Sequence, residues 1–170
     1  SCVAVGTGAL GRSSGSFNTA IGREALSGNQ GGGATNSNRN TAVGRHALTA
    51  NTTGEDNIGI GYHALVEITT GSDNVAIGAY ALDENTTADD NTAIGKAALS
   101  TNTTGANCTA VGKDALVNST GSANTAVGSQ ALDALTTATE CVAIGADAGG
   151  GCTTGIRNTF VGRDAGYNLS

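Results

Sequence analysis

The sequence contains no proline, tryptophan or methionine, and only five of its 170 residues are aromatic. With 27 glycines and so few large side chains, the chain lacks the composition of an ordinary compact domain. Its apolar residues are mostly Ala, Val, Ile and Leu, which suits a thin interior extended along one axis. We therefore expect an elongated molecule.

Positive charge and long apolar runs are also scarce. The eight Lys and Arg residues are scattered against 14 Asp and Glu, giving a net charge of −6, which disfavours nucleic acid as a partner. No stretch of the sequence is long and apolar enough to predict a membrane span, and none reads as a signal peptide. An acidic surface rich in Thr, Asn and Gly suits an extracellular protein on a cell surface or a virion.

The four cysteines lack the paired short spacings of a zinc site or a redox motif. Cys108 and Cys141 are two repeats apart, so stacked copies would hold them roughly 9 to 10 Å apart, too far for a disulfide. A bridge between Cys141 and Cys152 stays open, but we expect these residues, like Cys2, to be small free thiols.

One motif occurs ten times along the chain, most clearly as Asn-Thr-Ala-Ile-Gly-Lys-Ala-Ala-Leu at residues 91–99. Aligning the copies on their glycine gives spacings of 16, 22, 17, 17, 17, 17, 16, 17 and 17 residues. A period this regular indicates a tandem array, and 17 residues are too few for a leucine-rich or helical-hairpin repeat. The absence of Met and a first copy that begins at Cys2 lead us to expect a fragment of a longer chain or a filament subunit.

Four positions of the motif define columns that run along the array. In three consecutive copies they are the asparagine column (Asn57, Asn74, Asn91), the β-branched column (Ile60, Ile77, Ile94), the glycine column (Gly61, Gly78, Gly95) and the leucine column (Leu65, Leu82, Leu99). A β-branched residue with Thr or Val two positions earlier predicts a strand, and the small alanine between them predicts burial on both faces. The asparagine amides are expected to bond one coil to the next.

The rest of each copy is a polar segment that ends in Thr-Thr-Gly, as at residues 52–54, where glycine is expected to supply the positive φ of a corner. Each copy thus fits one coil of two short strands and two turns. Ten coils stacked in register predict an all-β, parallel β-solenoid about 45 to 50 Å long, a single array over residues 1–170. The one long spacing places a Gly-rich loop at residues 28–39, which is either a flexible insertion or a place for a ligand contact.

Burial within one flattened coil is modest, because each large residue contributes only about 1.5 to 3 kcal/mol. A strand with two apolar faces would gain more by meeting another subunit, so we expect a homo-oligomer, most simply a trimer. Open solenoid ends would alternatively allow end-to-end assembly into a filament.

The motif resembles the Asn-Ser-Val-Ala-Ile-Gly repeats in the head domain of trimeric autotransporter adhesins, and related repeats in phage tail fibres and bacterial surface proteins. The resemblance covers residues 2–166, although the period here is longer and Thr is commoner at the second position. It implies a left-handed parallel β-roll, with the motif as inner strand and three rolls around a threefold axis.

The sequence shows no catalytic constellation and no cofactor motif. His46 and His63 follow their glycines by two residues in adjacent copies, so stacking predicts a separation of about 4.8 Å, suited to a metal pair or a pH-sensitive contact. Asp56, Asp73 and Asp90 form an acidic column, read as solvated corner carboxylates or as a weak calcium site. Asn51, Asn85, Asn102, Asn118 and Asn168 lie in glycosylation sequons that a chain rich in Asn and Thr generates by composition.

These observations favour a non-enzymatic structural and adhesive segment of an extracellular or virion fibre, with a cell-surface receptor as its partner. The alternatives within this fold are a phage tail-fibre shaft and a self-stacking filament subunit. An ice-binding or metal-binding solenoid is a separate class, and it would need a flat Thr row or an occupied His or Asp column.

Overall fold

The computed structural model describes residues 1–28 and 37–168 of the chain. Ten strands of three residues each form one parallel sheet in sequential order, and these residues contain no helix. In chain order, β1 to β10 are Val3–Val5, Thr19–Ile21, Thr41–Val43, Ile58–Ile60, Val75–Ile77, Thr92–Ile94, Thr109–Val111, Thr125–Val127, Val142–Ile144 and Thr159–Val161. Most of the predicted Gly-rich loop, residues 29–36, lies outside the described residues.

Each strand pairs with the next so that equivalent positions of the repeat stack on one another. Between β5 and β6, for example, Ala76 aligns with Ala93 and Ile77 with Ile94. The structural period is therefore the sequence period, and the predicted all-β, parallel β-solenoid is confirmed.

The prediction of a second strand in each coil was wrong. Every leucine of the leucine column has a left-handed backbone, with φ between 46° and 54°, whereas an extended strand needs negative φ. This conformation costs about 1 to 2 kcal/mol per residue, and burial of the whole side chain offsets it. Leu82 is fully buried, and its amide donates a hydrogen bond to the Ala98 carbonyl of the next coil at 3.1 Å.

The prediction that the strand is buried on both faces was also wrong. The alanines of the strands after β1, such as Ala76 and Ala93, are 0 % exposed, whereas Ile60 and Ile77 of the β-branched column are each 37 % exposed. The leucine side chains approach the sheet so closely that the middle residue of these strands has room for no more than a methyl group, and in β4 not even for that. At Gly59, which takes the alanine position in β4, an added Cβ would overlap the Leu48 side chain.

Only glycine fits the positions of the glycine column, because of their backbone conformation and the close approach of the next coil. Its residues have φ between 119° and 142°, and a Cβ on Gly78 would lie 2.5 Å from the carbonyl oxygen of Gly95. The glycines of Thr-Thr-Gly behave differently, because they do not have the predicted positive φ. The left-handed residue of that corner is instead the one before the asparagine column, such as Asp73 with φ of 59°. Glycine is still needed at Gly71, where a Cβ would overlap the Ala88 carbonyl.

Candidate functional site

The asparagine column lies inside the solenoid and joins consecutive coils. The Asn74 backbone amide donates to Asn57 Oδ1 at 3.0 Å, and the Asn91 amide donates to Asn74 Oδ1 at 3.0 Å. Asn74 Nδ2 also donates to the Ala88 carbonyl at 2.8 Å. Because these side chains are 0 % exposed and engaged internally, they are not a surface for a ligand.

Three cysteines, Cys2, Cys108 and Cys141, replace asparagine in this column. The Cys108 and Cys141 backbone amides donate to the asparagine of the preceding coil, at 2.9 and 3.0 Å, and their thiols donate to glycine carbonyls. Cys141 Sγ and Cys152 Sγ both contact the Gly155 carbonyl oxygen, at 3.0 and 3.7 Å, yet all four cysteines are free thiols. Burial raises the pKa of the Cys108 thiol, so this group is a weak structural donor and a poor nucleophile.

A second interior column was not predicted from the sequence. It lies seven residues after each glycine of the motif and is fully buried in six coils, at Asn51, Ile68, Asn85, Asn102, Ser119 and Leu135. Asn102 Nδ2 donates to the Gly105 carbonyl and the Gly105 amide donates to Asn102 Oδ1, both at 2.7 Å, which closes the corner. The sequence carries one trace of this burial, since no copy of the motif has a charge at that position.

The acidic column lies on exposed corners. Asp56 accepts two hydrogen bonds of 2.8 Å from Arg39, and this guanidinium lowers the pKa of its carboxyl. Asp73 and Asp90 are exposed in the following coils. Over residues 1–28 and 37–168, no three His, Cys, Asp or Glu side chains are arranged to hold a metal ion. Asp56 therefore forms a surface ion pair with Arg39.

The outer sheet face consists of the first and last residue of every strand, which flank the buried alanine. Its large members include Ile58, Ile60, Ile77 and Ile94, which are 37 to 38 % exposed, and Ile144, which is 46 % exposed. Parallel strands lie about 4.8 Å apart, so the face is a flat ribbon of β-branched side chains roughly 43 Å long.

Beside this face, the turns that follow β3, β4 and β5 carry an aromatic cluster of Arg45, His46, Tyr62, His63 and Tyr80. The two histidine rings have centroids 5.2 Å apart, close to the predicted separation. Tyr62 packs on His63 at 4.2 Å and meets Tyr80 nearly at right angles at 5.3 Å. The Arg45 guanidinium lies 5.6 Å from the Tyr62 ring centroid. Neither tyrosine was singled out from the sequence, because their proximity to the histidines follows from stacking.

Charged groups surround the aromatic cluster. Glu24 Oε2 lies 3.2 Å from His46 Nδ1, and Arg23 contacts the same carboxylate at 3.3 Å. Burial lowers the pKa of His63, as do the positive charges of His46 and Arg45. Burial likewise raises the pKa of Tyr80, with a further contribution from Tyr62. The cluster is therefore a partly dehydrated patch with mixed charge at its edge.

None of the described residues forms a helix long and apolar enough to cross a membrane. Comparisons with protein-family models, with curated proteins and with solved structures give no match.

Proposed function

We propose that this chain is a rigid, self-associating structural and adhesive segment of an extracellular fibre, on a cell surface or a virion, without catalytic activity. The observation that supports this proposal is the outer sheet face. A ribbon roughly 43 Å by 10 Å covers about 400 Å², the size of the largest surface patch on many soluble proteins, and such patches are often functional.

Its shape fits association with another copy of the chain. The face repeats in register at every coil, so two copies can align through the same residues. Its side chains are stiff at χ1, so ordering them against a partner costs little conformational entropy. The resemblance of the motif to trimeric adhesin repeats adds a threefold arrangement, and we propose a homotrimer on that basis.

Rigidity is supported by the hydrogen bonds between coils. In each repeat the strand, the turn after it and the corner donate to or accept from a neighbouring coil, as Val75, Tyr80 and Asp73 do. A coil cannot tilt without breaking several of these bonds, which suits a spacer that holds a binding surface away from an envelope.

Light scattering over a range of protein concentrations tests the self-association. A constant mass of three chains is expected, and the double variant Ile60→Asp/Ile94→Asp should shift it to one chain by placing charges on the outer sheet face. The matched control, Thr70→Asp/Thr104→Asp, adds the same charge at exposed corners and should remain trimeric. A single chain for the unmodified protein would overturn the proposal, and mass that grows steadily with concentration would replace the trimer with a filament.

Ice binding is a second candidate, favoured by one observation on the same face. Six of the ten strands begin with Thr, at Thr19, Thr41, Thr92, Thr109, Thr125 and Thr159. A thermal hysteresis measurement decides this candidate, since an ice-binding face would lower the freezing point without changing the melting point. Equal freezing and melting points would dismiss it.

A further inference from the structure

The aromatic cluster concentrates residues that are rare in the rest of the chain. The protein has five aromatic residues and two histidines in total, and Tyr62, Tyr80 and both histidines lie within three consecutive coils. None of them belongs to the columns that build the solenoid. Tyr62 and Tyr80 are 37 % and 39 % exposed, so each presents part of its ring to solvent.

The groups around these rings include both donors and acceptors of hydrogen bonds. The Arg45 guanidinium carries only donors, the Glu24 carboxylate carries only acceptors, and the His46 imidazole lies beside that carboxylate. A ligand matched to this arrangement needs an apolar face for the rings and edge groups that both donate and accept. The pyranose ring of a sugar has this chemistry, because its axial C–H bonds form an apolar face and its hydroxyls do both.

We propose that the aromatic cluster is a carbohydrate-binding site for a neutral saccharide. A pyranose ring packs on the exposed parts of Tyr62 and Tyr80, while its hydroxyls bond to the Arg45, His46 and Glu24 side chains. The site rests on the adhesive part of the proposed function and is independent of self-association.

The extent and charge of the cluster favour a sugar over other ligands. Three coils span about 10 Å, the length of one or two sugar rings. An anionic ligand would meet the carboxylates of Glu24, Glu67 and Asp83, two of which act on His63 and Tyr80 electrostatically. A cationic ligand would meet the guanidinium of Arg45.

The repeat itself supplies variants that should fold. The position of Tyr62 holds Ala79 in the next coil, and the position of Tyr80 holds Ala97 in the coil after it. Tyr62→Ala and Tyr80→Ala therefore place a residue that this turn already accepts. The unfolding temperature and the circular dichroism spectrum of each variant check that it folds.

Intrinsic tyrosine fluorescence provides the binding measurement, because the protein has no tryptophan and two of its three tyrosines lie in the cluster. The full chain is titrated with cellohexaose, maltohexaose and N,N′-diacetylchitobiose up to about 10 mM, with calorimetry in parallel. We expect saturable binding of at least one probe, weakened tenfold or more in Tyr62→Ala and in Tyr80→Ala. The control Tyr167→Ala removes the third tyrosine, outside the cluster, and should keep the affinity of the unmodified protein.

Absence of saturation with all three saccharides in both measurements would overturn the proposal, as would binding that survives both alanine substitutions. If the unmodified protein binds none of the saccharides and Tyr62→Ala reduces the mass of the oligomer, the cluster belongs to a protein interface and the sugar site is wrong. Light scattering on the same samples separates the two proposals, since a single chain that binds the sugar refutes self-association alone.

Discussion

In every strand except β10, the two end residues are larger than the middle residue, and these larger side chains lie on the outer sheet face. In β5, Ala76 is fully buried, whereas its neighbour Ile77 remains 37 % exposed. In an ordinary sheet the larger apolar residue would face the core. Here the leucine column fills the interior from the opposite side, so the sheet can offer only a methyl group there. The comparison teaches that the interior stabilises a single chain and that the outer sheet face is available to a second one.

The largest expected effect compares a leucine of the interior with an isoleucine of the outer sheet face. Leu82→Ala should lower the free energy of unfolding by about 2 to 5 kcal/mol, because it leaves a cavity in a fully buried position. Ile77→Ala should cost less than about 1 kcal/mol within a single chain, because its side chain is partly hydrated there. Urea unfolding of both variants at several protein concentrations measures the two costs. Equal costs that do not depend on concentration would contradict the division of roles.

The next effect concerns the asparagine column, whose side chains join consecutive coils inside the solenoid. Asn74→Ala should cost about 1 to 3 kcal/mol, because the buried Asn91 amide loses its acceptor. Asn74→Cys should cost less, since a thiol already donates to the corner carbonyl at Cys108. Denaturant unfolding ranks the two variants against Asn118→Ala, an exposed asparagine that should cost less than about 0.5 kcal/mol. Equal stability of Asn74→Ala and Asn118→Ala would show that the column contributes little.

A smaller effect depends on pH and concerns the edge of the interior. Asp83 follows the buried Leu82, and burial raises the pKa of its carboxyl to about 6. The ionised form is thus disfavoured in the folded chain, so this residue contributes stability below about pH 4 that is lost as the pH rises through 6. Asp83→Asn should stabilise the protein by about 1 kcal/mol at pH 8, after allowance for solvent screening. At pH 3.5 the gain in stability should vanish. Unfolding curves of both proteins at the two pH values check this. An equal gain at both would show that ionisation of the Asp83 carboxyl is not its cause.

The smallest effect is a stabilisation on the turn. Ala97 has φ of 54°, so Ala97→Gly should relieve strain and stabilise the protein by about 0.5 kcal/mol despite the larger entropy of the unfolded chain. Ala79, one residue earlier in its own turn, is not left-handed, and Ala79→Gly should instead destabilise by about 0.5 to 1 kcal/mol. Opposite signs in thermal unfolding are the expected result. Destabilisation by both variants would mean that the left-handed backbone is not a source of strain.

The last coils show how far a repeat can depart from its pattern while the fold persists. Phe160 takes an alanine position in β10, and Gly149 and Gly166 take the leucine positions beside it. A Cβ on Gly149 would lie 2.8 Å from the Phe160 ring, so loss of the leucine side chains makes room for the aromatic one. For the pair Gly149 and Phe160, the combined volume is close to that of a leucine with an alanine, so the individual residues change while the volume is nearly kept. The repeat pattern alone does not show this exchange, because Gly149 belongs to the coil before that of Phe160 and meets its ring only by stacking.

The sequence by itself determined the all-β class, the parallel register and the coil boundaries, because a repeat of nearly constant length brings equivalent residues above one another when its copies stack. It also brought His46 and His63 together, since they occupy the same position in adjacent copies. Tertiary structure alone decided which face of the strand is buried, because that depends on how the leucine turn fills the interior. The left-handed leucines, the second interior column and the meeting of Tyr62 with Tyr80 were decided in the same way, since each follows from contacts between coils rather than from the order of residues within one.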